Sequence, residues 1–307
     1  VIIFSGGTGT PKLLNGLREV IPEEDLTVVV NTAEDIWISG NLVTPDIDTV
    51  LYLFSARIDM SRWWGIKGDT YRTHEVLNEL GHNEFMMLGD LDRATHIMRS
   101  DLLRKGLTLT EATIRLCNAF GIKARVLPMS DEPVSSVIST PEGKMHFQDF
   151  WVGKRGKPEV LEVTQQGIEK ASISPAVLDA LEFDDEVIIG PSNPITSIGP
   201  IIELPGMRDI LKHKKVVAVS PIIGNEPVSG PAGKLMAARG IEVSSFGVAS
   251  YYSDFLDHII IDERDRVDDN RFSDIGCSVS RANTLMKSLD VSSNLSRIIV
   301  EKLRAIR

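Results

Sequence analysis

Val1-Ile2-Ile3-Phe4-Ser5-Gly6-Gly7-Thr8-Gly9-Thr10-Pro11-Lys12-Leu13-Leu14-Asn15-Gly16-Leu17 is the stretch whose reading decides the fold. Its first four residues form an apolar run of the kind that lies buried on both faces of a parallel sheet. Ser5 to Thr10 then supplies a tight glycine turn, and Pro11 to Leu17 reads as a helix opening. Thr10 suits the N-cap and Pro11 the first helical position. A strand that meets a helix N-terminus through glycines brings unpaired backbone N–H groups close to any anion held there. Gly6, Gly7, Thr8, Gly9, Thr10 and Lys12 are therefore candidate phosphate contacts. The turn is not a Walker loop, because no Gly-Lys-Ser/Thr follows at the required spacing. Nor is it the dinucleotide pattern, which needs a third glycine.

The pattern repeats outward. Leu26 to Val30 is a second apolar strand, so the first unit is a parallel crossover. Asn31 to Asp35 leaves its carboxyl end, where ligands gather in open α/β sheets. Ile36 to Asp48 reads as a long loop, and Thr49 to Ser55 as helix. From Ile58 the rhythm stops: three helical stretches (70–80, 92–104, 110–120) precede a β-rich patch, 126–163. Thr108 and Thr110 are alternative caps for the third helix. The rhythm resumes with a helix at 175–181, strands at 186–190 and 215–220, and helices at 205–213 and 231–239. Strands at 242–249 and 258–261 and helices at 280–289 and 294–305 close the chain. The expected architecture is a Rossmann-like α/β core, 1–57 and 168–307, with a mostly parallel sheet and helices on both faces. Residues 58–167 form a helical and β insertion on one edge.

The chain has 307 residues and a net charge of −10. That balance argues against nucleic-acid and anionic-membrane partners, and no apolar run approaches the roughly 18 residues of a membrane span. Two cysteines, Cys117 and Cys277, lack metal-ligand spacing and fit a reducing compartment. With no charged-then-apolar leader before the first strand, the expected location is the cytoplasm.

Glu34, Asp35, Asp46 and Asp48 place four carboxylates near the carboxyl ends of early strands. In an extended chain Asp46 and Asp48 would share one side. Oxygen ligands of this kind suit Mg²⁺ beside phosphate, and a solvated acidic loop is the plainer alternative. Asp90 and Asp92 read as helix caps, and His74 and His96 as polar surface or satisfied core. Trp63-Trp64 is a packing pair or an aromatic wall. Gly190-Pro-Ser-Asn-Pro194, with Ser192 and Asn193, and Ser229 to Lys234 repeat the strand-to-helix logic of the opening. Three such turns on one sheet edge point to a nucleotide-sized polyphosphate site.

As a set, these residues resemble the 2-phospho-L-lactate transferases of coenzyme F-420 biosynthesis. The motifs are Phe4 to Leu14, Asn31 to Asp35, Thr44-Pro-Asp-Ile-Asp-Thr49, Leu88-Gly-Asp90-x-Asp92, Gly190 to Pro194 and Ser220 to Gly224. The resemblance implies a Mg²⁺-dependent transferase that moves a phospholactyl or phosphoenolpyruvyl group from a guanosine diphosphate-linked donor to the deazaflavin riboside Fo. GMP would be released. It further implies that Asp48 contacts Fo, with Met87 and Asp35 nearby, and that Asp46 and Asp48 carry the chemistry. Asp35, Asp46 and Asp48 would hold the metal. The glycine turns, Ser192, Asn193 and Gly224 would hold the donor. Apart from the resemblance, a homodimer is the expected assembly on general grounds. At Met87 relatives often carry aromatic or basic residues, which leaves a backbone contact there. A second family shares the Gly-Gly-Thr-Gly opening and resembles non-enzymatic sugar-nucleotide-binding regulators. Its members carry Asp-Gly-Gly-Ser-Ser-Gly where this chain has Asp35-Ile-Trp-Ile-Ser-Gly40. The broken glycine pattern disfavours an NAD-dependent oxidoreductase.

Overall fold

β1 (Ile2–Ser5) lies inside a seven-stranded sheet, and the computed structural model describes residues 1–306 around it. In chain order there follow α1 (Gly9–Leu17), β2 (Thr27–Val30), β3 (Ile36–Ile38), β4 (Asn41–Val43) and α2 (Pro45–Phe54). Next come α3 (Arg72–Glu79), α4 (Asp90–Arg104), α5 (Leu109–Phe120) and β5 (Arg125–Pro128). A small antiparallel sheet is made by β6 (Ser135–Thr140), β7 (Gly143–His146) and β8 (Glu162–Gln166). Then α6 (Pro175–Phe183), β9 (Glu186–Ile189), α7 (Gly199–Glu203), α8 (Met207–Leu211) and β10 (Lys215–Val219) resume the alternation. β11 (Ile222–Ile223) and β12 (Glu226–Pro227) form a short hairpin before α9 (Ala232–Ala238) and α10 (Ser245–Tyr251). β13 (His258–Asp262), α11 (Asp269–Asp274), β14 (Ser278–Ala282) and α12 (Leu289–Ala305) end the fold.

The main sheet runs β14-β13-β10-β9-β1-β2-β5, every pair parallel. Its central strands are apolar because both faces are covered, while the edge strand β14 is polar. Ile2, Phe4, Val29, Val187 and Ile189 pack into one cluster, with α6 to α11 and the small sheet. Ile3, Val28, Val30, Ile188 and Val217 pack into the other, with α1, α2, α5 and α12. This is the α/β, Rossmann-like, parallel-sheet architecture expected from the sequence. β5 falls within 58–167 yet pairs with β2, so a core strand interrupts the insertion.

Several local readings are corrected. The helix after the glycine turn begins at Gly9, with Thr8 at the N-cap and Thr10 inside the first turn. Residues 36–48 are not a loop: they form the β3–β4 hairpin and the first turn of α2, which Pro45 initiates. Asp46 and Asp48 are thus two residues apart on a helix and diverge. Residues 245–251 are helical rather than extended, with the Ser244 hydroxyl accepting from the Gly247 N–H. Residues 278–282 are the edge strand β14 rather than a helix. Asp90 caps α3 rather than its own helix, accepting from the N–H groups of Arg72 and Thr73. Asp69 does the same for α4 through Leu91 and Asp92. Thr108 provides the realised capping box of α5.

α4 is inverted for a helix of a soluble protein. Its buried residues are Arg93, Thr95, His96, Arg99 and Ser100, while Leu91, Ile97 and Met98 face outward. A helix with a charged inner face has packed against a site rather than against a core.

Candidate active site

The carboxyl ends of the central strands open into a cavity of about 750 Å³. Its floor includes the glycine turn at Gly7, Thr8 and Gly9, with Lys12 one helical turn further on. The Pro191-Ser192-Asn193 turn and the 228–232 segment, the two other turns singled out in the sequence, join it. The convergence follows from parallel strands, whose carboxyl ends all point one way.

The opening turn is held by contacts through Gly7 and Thr10. Gly7 has φ +55°, and its N–H donates to Asp46 Oδ1 at 2.7 Å. A Cβ on Gly9 would lie 2.0 Å from the Pro191 carbonyl oxygen, so this glycine is required for the α1 turn to meet the β9 turn. Ser192 Oγ donates to the Gly6 carbonyl, and the Thr10 hydroxyl therefore supplies the proton of their 2.7 Å bond. The Ser192 hydroxyl, expected as a donor-phosphate contact, is spent on joining the two turns. Lys12 stays uncommitted: it is half-buried over the Trp63 ring at 5.7 Å, and it forms no ion pair among the described residues. Burial lowers its pKa. Trp64, Phe85, Phe147 and Trp151 give the cavity an aromatic wall.

The carboxylates occupy different environments. Asp46 accepts from Gly7 and from Asn31 Nδ2 at 2.8 Å, and burial lifts its pKa to about 6 despite those bonds. Glu34, also in the cavity wall, is pushed well up by burial and by the nearby Asp46. Asp48 sits between α2 and α4. Arg99 Nη1 donates to its Oδ2 at 3.2 Å and Nη2 to its Oδ1. Burial alone would raise Asp48; the Arg99 guanidinium and His96 outweigh it and hold the carboxyl at about 2. Breaking such a buried pair by removing one partner costs about 3–5 kcal/mol.

His96 Nε2 lies 3.2 Å from Asp48 Oδ2 and 3.1 Å from Asp92 Oδ1, without a well-aligned hydrogen bond to either. Burial would depress the imidazole, but the two carboxylates raise it to about 9. The Tyr52 hydroxyl donates to Asp92 Oδ1 at 2.6 Å. Asp48, Asp92 and His96 bring three ligand atoms within 4.8 Å of one another.

Gly7, Thr8, Gly9, Lys12, Asp46, Asp48, Met87, Ser192 and Asn193 of the expected site residues line the cavity. Gly6 and Thr10 lie behind the wall, tied to Ser192. Gly224 stands in the β11–β12 turn, away from the cavity lining. Asp35 is half-buried outside the lining, its pKa raised well above the usual range chiefly by loss of solvation. Of the expected metal trio Asp35, Asp46 and Asp48, only Asp48 belongs to the group whose ligand atoms gather, Asp48, Asp92 and His96, while Asp46 turns toward Gly7. Lys234 donates to the Gly156 carbonyl instead of facing a phosphate. In the sequence His96 reads as polar surface or satisfied core and Arg99 draws no reading, although Asp92, His96 and Arg99 recur at helical spacing on one face. Their signal was a charged stripe where an apolar one belongs.

Residues 1–285 match the family model described as 2-phospho-L-lactate transferase CofD. The chain belongs to that family. The 2-phospho-L-lactate transferases, a transferase family, include a Methanosarcina mazei protein 65% identical over 98% of this chain and 99% of its own length. A Methanococcoides burtonii protein of the same name is 64% identical over 98% of each. A Methanococcus maripaludis protein, again so named, is 44% identical over 98% of each. The fold is shared more widely than the sequence. The crystal structure of a UPF0052-family protein from Bacillus halodurans superposes with a TM-score of 0.68 over 97% of each chain, at 16% identity. Among the described residues no helix is long and apolar enough to cross a membrane.

Proposed function

We propose that this transferase moves the phospholactyl group, or the related phosphoenolpyruvyl group, from a guanosine diphosphate-linked donor to the terminal ribityl hydroxyl of Fo, in coenzyme F-420 biosynthesis. The observation that carries the reading is the make-up of the cavity. An uncommitted lysine and a helix N-terminus line one cavity with a carboxylate held ionised and an aromatic wall. The hydroxyl oxygen attacks the phosphorus that bears lactate. The bond from that phosphorus to the bridging oxygen breaks, and GMP leaves with the electron pair. Transfer of this kind is mostly positioning and charge stabilisation.

Lys12 and the N-terminus of α1 stabilise the donor's diphosphate. Asp48 accepts the hydrogen bond of the acceptor hydroxyl and directs its lone pair at phosphorus. The hydroxyl proton leaves late, to Asp46 or to water. Trp64, Phe85 and Trp151 suit the face of a tricyclic ring. The carboxylates of Asp48 and Asp92 would hold a divalent cation through oxygen, with His96 able to join only once deprotonated, and Mg²⁺ is the ion the resemblance implies. Such an ion would neutralise diphosphate charge.

The test is GMP release from purified protein with Fo and each donor, with and without Mg²⁺. No release in any combination refutes the reading.

A further inference from the structure

Arg99 is the largest side chain with no solvent exposure, and it lies on the inner face of α4. Its fork closes on both oxygens of Asp48, and Nη1 also reaches the Leu42 carbonyl oxygen at 3.3 Å. Asp48 lines the cavity while being only 4% exposed. Its carboxylate also faces His96 and the Thr44 N–H, the latter at 3.4 Å. A forked donor anchored to a neighbouring strand stops the carboxylate from turning about its own bond. A lysine would supply the charge from a single point and leave that rotation open.

We propose that Arg99 is a positioning residue for the transfer: it fixes the plane of the Asp48 carboxylate and hence the line along which Asp48 meets the acceptor hydroxyl. The inference rests on the transferase reading above. The competing role is purely structural. Arg99 and Ser100 together latch α4 to β4, with the Leu42 N–H donating to Ser100 Oγ at 2.8 Å. Ser100 makes no hydrogen bond to Asp48, which allows the two roles to be separated.

The experiment compares the full chain with Arg99→Lys, Arg99→Gln, Ser100→Ala, Asp48→Asn and the double variant Arg99→Lys/Asp48→Asn. Melting is recorded for each, and kcat and KM for donor and acceptor come from GMP release. A misplacement on the order of 1 Å is worth about 100-fold in rate. Arg99→Lys is therefore expected to lower kcat by roughly 10- to 100-fold, with the donor KM little changed. Arg99→Gln is expected to lose at least as much. Ser100→Ala should melt lower yet retain kcat. On the Asp48→Asn background, Arg99→Lys should add little further loss, because the group it positions has been altered already. A folded Arg99→Lys or Arg99→Gln at wild-type kcat overturns the proposal. So does a kcat loss in Ser100→Ala equal to that in Arg99→Lys, or a loss that multiplies in full on Asp48→Asn. A wild-type chain that releases no GMP refutes the transferase reading itself, and this proposal with it; the other outcomes strike the proposal alone.

Discussion

His96 makes the stability of this protein depend on pH in a direction opposite to that of its partner Asp48, whose pKa is lowered on folding. The imidazole is buried between Asp48 and Asp92, with Arg99 and the Tyr52 hydroxyl facing the same carboxylates. Its pKa rises from 6.5 to about 9 on folding. A raised pKa means that folding favours the protonated form. The stabilisation is complete below pH 6.5 and is lost as pH climbs through 9. At 1.36 kcal/mol per unit, the shift corresponds to about 3 kcal/mol. An unfolding entropy of about 2.1 cal/mol/K per residue gives about 0.6 kcal/mol/K for a chain of this length, so the loss is worth ~5 °C. Melting curves of wild type and His96→Gln at pH 6 and pH 9.5, with chelator present, measure it. The wild type should fall by about 5 °C more than the variant between the two pH values. Parallel shifts would refute the argument, since every other titrating group is common to both proteins.

Gly9→Ala is expected to destabilise by about 1–3 kcal/mol, because backbone rather than a flexible side chain stands in the way of the new Cβ; urea titration reads the loss. Asp48→Asn should keep the fold and lower GMP release by roughly 10²- to 10⁴-fold, and near wild-type turnover would sink the role given to Asp48. Lys12→Ala should raise the donor KM while lowering melting by no more than about 2 °C, since the half-buried Lys12 has a contact with the Trp63 ring but no ion pair to lose. Chelation should abolish GMP release and added Mg²⁺ restore it, with Asp92→Asn shifting the Mg²⁺ dependence.

Much of the layout was legible in the sequence for local reasons. Apolar runs such as Ile2 to Phe4 and Val28 to Val30 have no alternation, and only a strand covered on both faces tolerates that. The glycine turn and Pro11 then place α1, and the later turns at 190–194 and 229–232 fall on the same edge. Misreadings came where local pattern is short or ambiguous. Residues 242–249 carry Val243, Phe246 and Val248, which serve a strand or a short helix equally, and the Ser244 cap and packing of Val248 decided for helix. β14 pairs along only one edge, and its polar Ser278, Ser280 and Arg281 hide its register from composition.

The sequence by itself determined that a glycine turn after a buried strand would stand at the carboxyl edge of a parallel sheet, near the carboxylates that follow the next strand. It could not determine which carboxylates stay charged, or what charges them. That depends on α4, whose His96 and Arg99 lie about fifty residues from Asp48 in the chain and in contact with it in space. Asp46 and Asp48 look alike in sequence, yet one is raised to about 6 and the other held at about 2. The difference is the neighbour each meets after α2 turns them apart: two neutral hydrogen-bond donors for Asp46, a buried guanidinium for Asp48. In a low-dielectric interior such neighbours outweigh the intrinsic chemistry of the carboxyl group, and only the packing of helices distant in sequence supplies them.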